Sequence, residues 1–323
     1  MLLMEYHRPV LLTETVDGLN IQPDGVYVDV TFGGGGHSRE ILKRLGENGK
    51  LIAFDQDKDA LENAIDDPRF LLINENFRFL KRFLRFYGHT KVDGILGDFG
   101  VSSHQFDEPE RGFSTRFEGT LDMRMNQDDP LSAYEVVNQY SEGDLRRILS
   151  TYGELRSAAG MARVIVEARE REPISSSEQL KAALGRFLPK HKENKLLAQI
   201  YQAIRIEVNQ ELDALQEFLL QTQQVLAPGG RLSLISYHSL EDRLVKRYMR
   251  NGLFEGEPEK DVFGRAEVPF KPIGKFIIPS ENEIKENNRA RSAKLRVAER
   301  LPAGKRQPDK KTDEEEFLQP GKR

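Results

Sequence analysis

The 323 residues contain no cysteine and no tryptophan. Disulfides, cysteine-ligated metals and thiol nucleophiles are therefore excluded, and the composition fits a reducing compartment, so a cytoplasmic protein is expected. Long apolar runs are missing too. The opening segment MLLMEYHRPVLL has no extended hydrophobic stretch behind a basic start, and no run elsewhere reaches membrane-spanning length. No membrane partner is expected. Nor is there an excess of positive charge: 48 Lys and Arg face 52 Asp and Glu, a net charge of −4, which excludes a uniformly basic nucleic-acid binder and leaves only local basic features.

Hydrophobic residues make up 38% and charged ones 31%, which suits a soluble chain with a core of its own and a highly charged surface. The most informative stretch is VYVDVTFGGGGH, residues 26–37. Its β-branched alternation reads as a buried strand, and four consecutive glycines follow before SREILKRL begins a helix. Glycine admits positive φ and close backbone approach, and a helix starting there aims its free N–H groups at whatever the loop admits. An ordinary turn would use glycine for geometry alone, but a run of four exceeds what geometry requires. A second apolar strand, KLIAFDQD, ends at Asp55, about twenty residues past the glycines, the separation at which an acid meets a ribose hydroxyl in nucleotide-binding folds. Asp55 could instead cap the following helix together with Asp57.

Residues 70–73 read as a third strand and residues 77–86 as a helix with Phe77, Leu80, Phe83 and Leu84 on one side. Phe77 opens that helix where strand three ends, as a site residue or as core. Residues 92–96 form a fourth strand that delivers Asp98 between two glycines, on the same edge as the glycine loop and Asp55. Four strands alternating with helices indicate a parallel sheet in a doubly wound, Rossmann-like α/β fold, whose ligands bind at the carboxyl ends of the strands.

From about residue 106 the strand signals stop. Helices are expected at 141–152, 155–172 and after a Ser175/Glu178 cap, and then one long helix over 194–225, before a fifth strand at 231–236 resumes the sheet. The organisation expected is a discontinuous α/β domain, residues 1–105 and 206–300, with an all-helical insert at 106–205 that recognises the larger substrate, and a disordered charged tail at 301–323. Residues 252–272 look like a flexible loop, and 276–278 and 294–298 like two final strands. His238 sits at the end of the fifth strand. It opens a helix that carries Arg243, Lys246, Arg247 and Arg250 on one face, for RNA phosphates or simply for water. A stripe of Lys and Arg over 285–311 is a second basic feature, and His7 and Arg8 are polar groups that could line a site.

Taken together, DVTFGGGGHS, GDFGVSSHQFD, RGFS with GTLDMRM, QAIRIEVNQEL, LAPGGRLSLISYHSLEDR and RARSAKLRVAE resemble the bacterial MraW-type (RsmH) methyltransferases, over nearly the whole chain. The resemblance implies a class I methyltransferase sheet and transfer of a methyl group from S-adenosylmethionine to the 4-amino group of a cytidine in small-subunit (16S) ribosomal RNA. Free RNA or the assembled subunit would be the partner. It implies that Gly35, Gly36 and His37 contact the methionine side of the cofactor, Asp55 the ribose, Phe77 the adenine surroundings, and Asp98 and Gln105 the rest of the pocket. His104 stands where the family usually has proline, which would loosen the loop that carries Gln105.

Asp98 is the expected hydrogen-bond acceptor near the reacting amine, with His238 as a second polar group and Phe113 or Tyr237 as a surface for the splayed base. Two other classes remain open on residues alone. A nicotinamide-dependent oxidoreductase could use the same scaffold, although its glycines would be spaced differently. A non-catalytic RNA-binding assembly factor could use the basic stripe.

Overall fold

A computed structural model describes residues 9–115, 118–304 and the backbone of 306–307. His7 and Arg8, and most of the expected tail with the end of the basic stripe, lie outside the described residues. Helix α1 (Leu12–Gly18) precedes β1 (Val26–Asp29), α2 (Gly36–Arg44), β2 (Lys50–Phe54), β3 (Phe70–Ile73), α3 (Leu80–Phe86) and β4 (Val92–Asp98). Among the described residues, seven α-helices follow without a strand longer than one bridge: α4 (Ser103–Asp107), α5 (Ala133–Gln139), α6 (Glu142–Thr151), α7 (Ala158–Arg169), α8 (Ser177–Ala183), α9 (Glu193–Asn209) and α10 (Glu211–Val225). The sheet resumes with β5 (Leu226–Ser236), α11 (Ser239–Asn251), β6 (Phe270–Pro272), α12 (Glu281–Glu286) and β7 (Lys294–Arg300).

The seven-stranded sheet has the order β3-β2-β1-β4-β5-β7-β6. Its first five strands are parallel, and β7 runs antiparallel to both β5 and β6. The order reverses between β1 and β4, so the carboxyl ends of β1, β2 and β4 open a crevice at the point where ligands bind in such sheets. The alternation read in the sequence places side chains on two faces. Val28, Ile52 and Ile95 pack with Leu80 and Leu84 of α3, Phe218 of α10 and Tyr248 of α11, while Tyr27, Leu51 and Leu96 pack with Val16 of α1, Leu19 just past its end and Ile41 of α2. The helices between β4 and β5 hold a separate buried cluster running from Phe113 to Val208.

Several expectations are corrected. Residues 194–225 are two helices, because Gln210 takes a left-handed conformation (φ 49°) between them and Arg205 holds Glu211 across the break at 2.8 Å. The continuous apolar spacing contained no glycine or proline to announce it. Helix α8 is capped by Ser176 with Gln179, one residue later than read. Residues 270–272 are an edge strand where a loop was expected, and of residues 276–278 only Ile277 pairs, with Leu295. The two prolines flanking Phe270 and Lys271 suppress the strand signal, yet an edge position tolerates them.

Candidate active site

The glycine loop leaves β1 and turns twice through left-handed geometry, at Gly33 (φ 50°) and Gly35 (φ 73°), before α2 begins at Gly36. A Cβ on Gly36 would stand 2.1 Å from Pro9 Cγ, so this part of the loop packs directly against the start of the described chain. At Gly33 the same atom would meet only Ser102 Cβ, 4.0 Å away, which leaves that side open. Asp29, at the end of β1, fixes the turn: it accepts from Ser38 Oγ at 2.7 Å and from the Thr31 N–H at 3.1 Å. Thr31 Oγ1 in turn accepts from the Asp98 N–H at 2.6 Å, tying β1 to the end of β4.

Asp55, at the end of β2, reaches the loop. Its carboxylate accepts from the Gly33 N–H at 2.7 Å and the Asp57 N–H at 2.9 Å. The capping role belongs to Asp57, which accepts from the Asp59 N–H. Asp98 accepts from the Tyr237 hydroxyl at 2.8 Å, and His37 Nδ1 stands 3.9 Å from its other oxygen. Burial pushes His37 down to about 4, so this is no ion pair at neutral pH: the imidazole is uncharged, with Nε2 3.2 Å from the Val10 carbonyl, which it meets as a donor. Burial pushes Asp29 and Asp55 up to about 6 and Asp98 up to about 7. Among the described residues none of the three has a Lys or Arg as a hydrogen-bond or ion-pair partner, so the crevice holds three carboxyl groups without a fixed counter-charge. Such a site favours a ligand that brings positive charge.

The remaining predicted residues have other partners. Gln105 is buried. Its Oε1 accepts from the Ser102 N–H at 3.0 Å and its Nε2 donates to Asp57 at 2.6 Å, so the loop expected to be loosened by His104 is held by a capping box. His104 itself lies 3.3 Å from Asp59. Phe77 packs against Phe99 (5.6 Å between ring centroids) and Phe218 (5.4 Å), half-buried where the core meets the crevice. His238, expected near the amine, turns instead to the head of α11: Nδ1 accepts from the Glu241 N–H at 3.4 Å and Nε2 lies 3.2 Å from Glu241 Oε1. Glu211, His238 and Glu241 form the one His/Asp/Glu group among the described residues with cation-binding spacing. With Nδ1 as acceptor, Nε2 carries the proton and is a donor, and Arg205 already neutralises Glu211, so the set does not suit a metal.

Of the two aromatics expected to meet a base, Phe113 is buried in the helical cluster beneath Arg111, and Tyr237 is the one at the crevice. The basic stripe is also largely engaged within the fold. Arg289 pairs with Asp107, Lys294 and Arg296 share Asp242, and Arg300 donates to the carbonyls of Gln223 and Pro269. On α11, Arg243, Lys246, Arg247 and Arg250 are exposed as expected, although Arg243 lies 3.4 Å from Glu154 and Arg247 donates to the Phe254 carbonyl.

Sequence reasoning missed two groups. Asp29 was read only as part of a strand, although an acid inside an apolar run was signal enough. Arg111 is buried and pairs with Asp57 at 2.8 Å and Asp59 at 2.6 Å while donating to the carbonyls of Arg124 and Met125. It therefore fastens the first loop of the helical region to the segment after Asp55, and losing one partner of such a buried pair costs about 3–5 kcal/mol.

A model of the MraW methylase family matches residues 4–301. Three curated proteins named ribosomal RNA small subunit methyltransferase H are close relatives. That of Christiangramia forsetii is 71% identical over 93% of this chain and 100% of its own length. Those of Flavobacterium johnsoniae and Bacteroides thetaiotaomicron are 68% and 52% identical, each over 92% of this chain and 99% and 98% of their own lengths. With likeness this high from end to end of the relatives, and a family model that matches everything from the glycine loop to the last strand of the sheet, the chain belongs to the MraW methylase family.

Proposed function

We propose that the crevice at the ends of β1, β2 and β4 holds S-adenosylmethionine and that the chain methylates the exocyclic 4-amino group of a cytidine in small-subunit ribosomal RNA. The observation that carries this reading, beyond membership in a methylase family, is the pair Asp55 and Asp98 on either side of the glycine loop, half-buried and, among the described residues, without a Lys or Arg partner. That deficit of positive charge fits a sulfonium cofactor. Neither a nicotinamide-dependent oxidoreductase nor a non-catalytic RNA-binding factor gains support, since the chain is a methylase by family.

When bound, S-adenosylmethionine supplies an electrophilic methyl group. The residues have the remaining tasks. Gly35, Gly36 and His37 line the methionine side, Asp55 receives the ribose hydroxyls, and Phe77 presents its half-buried ring toward the adenine. Gln105 acts through Asp57 to hold the wall beyond Asp55. The cytosine amine is a poor nucleophile because its lone pair is delocalised into the ring. Asp98 accepts a hydrogen bond from it, which orients the nitrogen and stabilises the positive charge that develops there, and then takes its surplus proton. Tyr237, by donating to Asp98, keeps one carboxylate oxygen fixed and leaves the other for the amine. His238 acts through Glu241 to position the start of α11 behind Tyr237, whose N–H donates to Glu241 at 2.9 Å. A base paired or stacked in RNA must be splayed out to present its edge here.

The helical region between β4 and β5 is assigned to substrate recognition. A boundary at residue 205 would cut α9, whose Val208 belongs to the helical cluster, so Gln210 is the natural end of the insert. Small-subunit ribosomal RNA, free or in the assembled subunit, is the expected partner, and the cytoplasm the expected place. No helix among the described residues is long and apolar enough to cross a membrane.

The decisive experiment is to incubate small subunits and free rRNA from cells lacking the enzyme with labelled S-adenosylmethionine and map the methylated nucleotide. Label on a cytidine amine supports the reading, and no transfer to either RNA overturns it. The ribose assignment has its own check. Asp55→Ala should weaken S-adenosylhomocysteine binding by about 1.5–3 kcal/mol through loss of a charge-assisted hydrogen bond. Calorimetry returning the wild-type affinity would remove Asp55 from the ribose site.

A further inference from the structure

The segment from residue 76 to 91, NFRFLKRFLRFYGHTK, carries five Lys or Arg and five aromatic residues and no acid, in a chain whose net charge is −4. Half of this is explained by the core, since Leu80 and Leu84 of α3 are fully buried beneath the sheet. The other half faces outward. Phe79 is 39% exposed, Phe86 78% and Tyr87 42%, an unusual display of aromatic area for one short helix. Phe86 and Tyr87 meet edge to face with centroids 5.0 Å apart, and the Arg82 guanidinium lies 5.8 Å from the centre of the Phe83 ring. Arg82 and Arg85 are exposed beside them. Phe79, Arg82, Phe83, Arg85 and Phe86 border a groove of about 750 Å³ that Gln221 of α10 also lines. The cations at the rim that do have partners show how the groove is built: Arg78 pairs with Glu217, and Lys81 donates to Gln224.

We propose that this groove is a docking surface for single-stranded segments of the RNA substrate, separate from the crevice where the target base reacts. Flat, solvent-facing rings interleaved with guanidinium groups are the chemistry that holds unpaired RNA: bases stack on the rings without regard to identity, and the cations meet the phosphates between them. Charge complementarity favours this occupant over an acidic-residue-free protein helix or a second copy of this chain, which would bring the same unneutralised cations face to face. Position favours it too. The segment starts at Phe77, whose ring touches Phe99, the residue that follows Asp98, so α3 leads directly away from the reacting edge.

The inference rests on the RNA-methylating reading above and is tested separately from it. Full-length protein is titrated with a short unstructured RNA and with small subunits at several salt concentrations, comparing wild type, Arg82→Gln/Arg85→Gln and Phe86→Ala. The double variant should bind RNA about tenfold more weakly and lower the salt-dependence slope by about 1.4, or about 0.7 for each lost phosphate contact on a single strand. Phe86→Ala should weaken binding by a similar factor and leave the slope unchanged, because stacking releases no counterions. S-adenosylhomocysteine affinity and thermal midpoint should stay at wild-type values in both. Wild-type RNA affinity and slope in the two variants, with the parent protein binding RNA, would overturn this inference alone. So would a variant that changes only the sedimentation of the protein, which would make the groove a contact between copies. A parent protein with no RNA affinity would overturn the functional reading and this inference with it.

Discussion

Replacing Gly35 by valine is expected to abolish methyl transfer and cofactor binding together. Gly35 sits at φ 73°, a conformation a β-branched residue does not adopt without strain. A Cβ there would also stand 2.8 Å from two atoms of the Phe32 ring and 2.6 Å from an Arg39 guanidinium nitrogen. Arg39 can swing away, but Phe32 is buried and cannot. The backbone must therefore leave its left-handed turn, and with it go the N–H of Gly33 that holds Asp55 and the start of α2. The buried cluster running from Phe113 to Val208 is remote from this clash and should keep its helices. The measurement is labelled methyl transfer alongside S-adenosylhomocysteine calorimetry and far-ultraviolet circular dichroism. Wild-type turnover in a folded variant would reduce the glycines to an ordinary turn.

Asp98→Asn should lower turnover by on the order of 10²–10³-fold, the range lost when an acid–base group or a charge-stabilising group is removed, with S-adenosylhomocysteine affinity changed far less. The pH dependence follows from its environment. Burial raises the Asp98 carboxyl to about 7, and the ionised form is the acceptor, so wild-type kcat/KM should rise with pH through about 7 and level off above it. Tyr237→Phe removes the hydroxyl that favours the ionised form, so its profile should move to higher pH, a shift that a merely structural tyrosine would not give. Stability should move the opposite way. Because the folded-state value exceeds the unfolded one of 3.8, the native protein binds more protons between about 4 and 7, and its stability falls as pH rises through that window. Asparagine lacks this penalty. The variant should therefore gain thermal stability relative to wild type at pH 8 while losing activity, and should gain nothing at pH 4. A pH–rate profile flat from 6 to 8 in the wild type would take Asp98 out of the proton-accepting role.

Much of the sheet and one edge of the site were legible because their signals are local. β-branched alternation through residues 26–30, a continuous apolar run over 51–54, four consecutive glycines and the acids Asp55 and Asp98 after the second and fourth strands depend on neighbours in sequence, and the doubly wound sheet follows from them. The capping signal of Ser141 with Asp144 is equally local, and it marks the start of α6. Where the reading failed, the deciding partner was distant. At Gln210 the ion pair across the break, Arg205 with Glu211, is local, but one amphipathic run becomes two helices because α9 packs into the helical cluster and α10 against the sheet. Phe113 read as an available ring until Arg111 and the helical cluster covered it.

The sequence by itself determined the strand-to-glycine-to-helix unit, the placement of Asp55 and Asp98 at strand ends and the methylase family, because each is written in contiguous residues. Only the tertiary structure decided which side chains meet. Tyr237 rather than His238 reaches Asp98 across 139 positions of chain, Gln105 joins Asp57 across 48, and Arg111 joins the same carboxylate across 54. The physical reason is that hydrogen bonds and burial act over a few ångströms in space, whatever the separation along the chain. The same residue types in another packing would have left Asp98 solvated, with the ordinary acidity of an exposed carboxylate and no hold on a weakly nucleophilic amine.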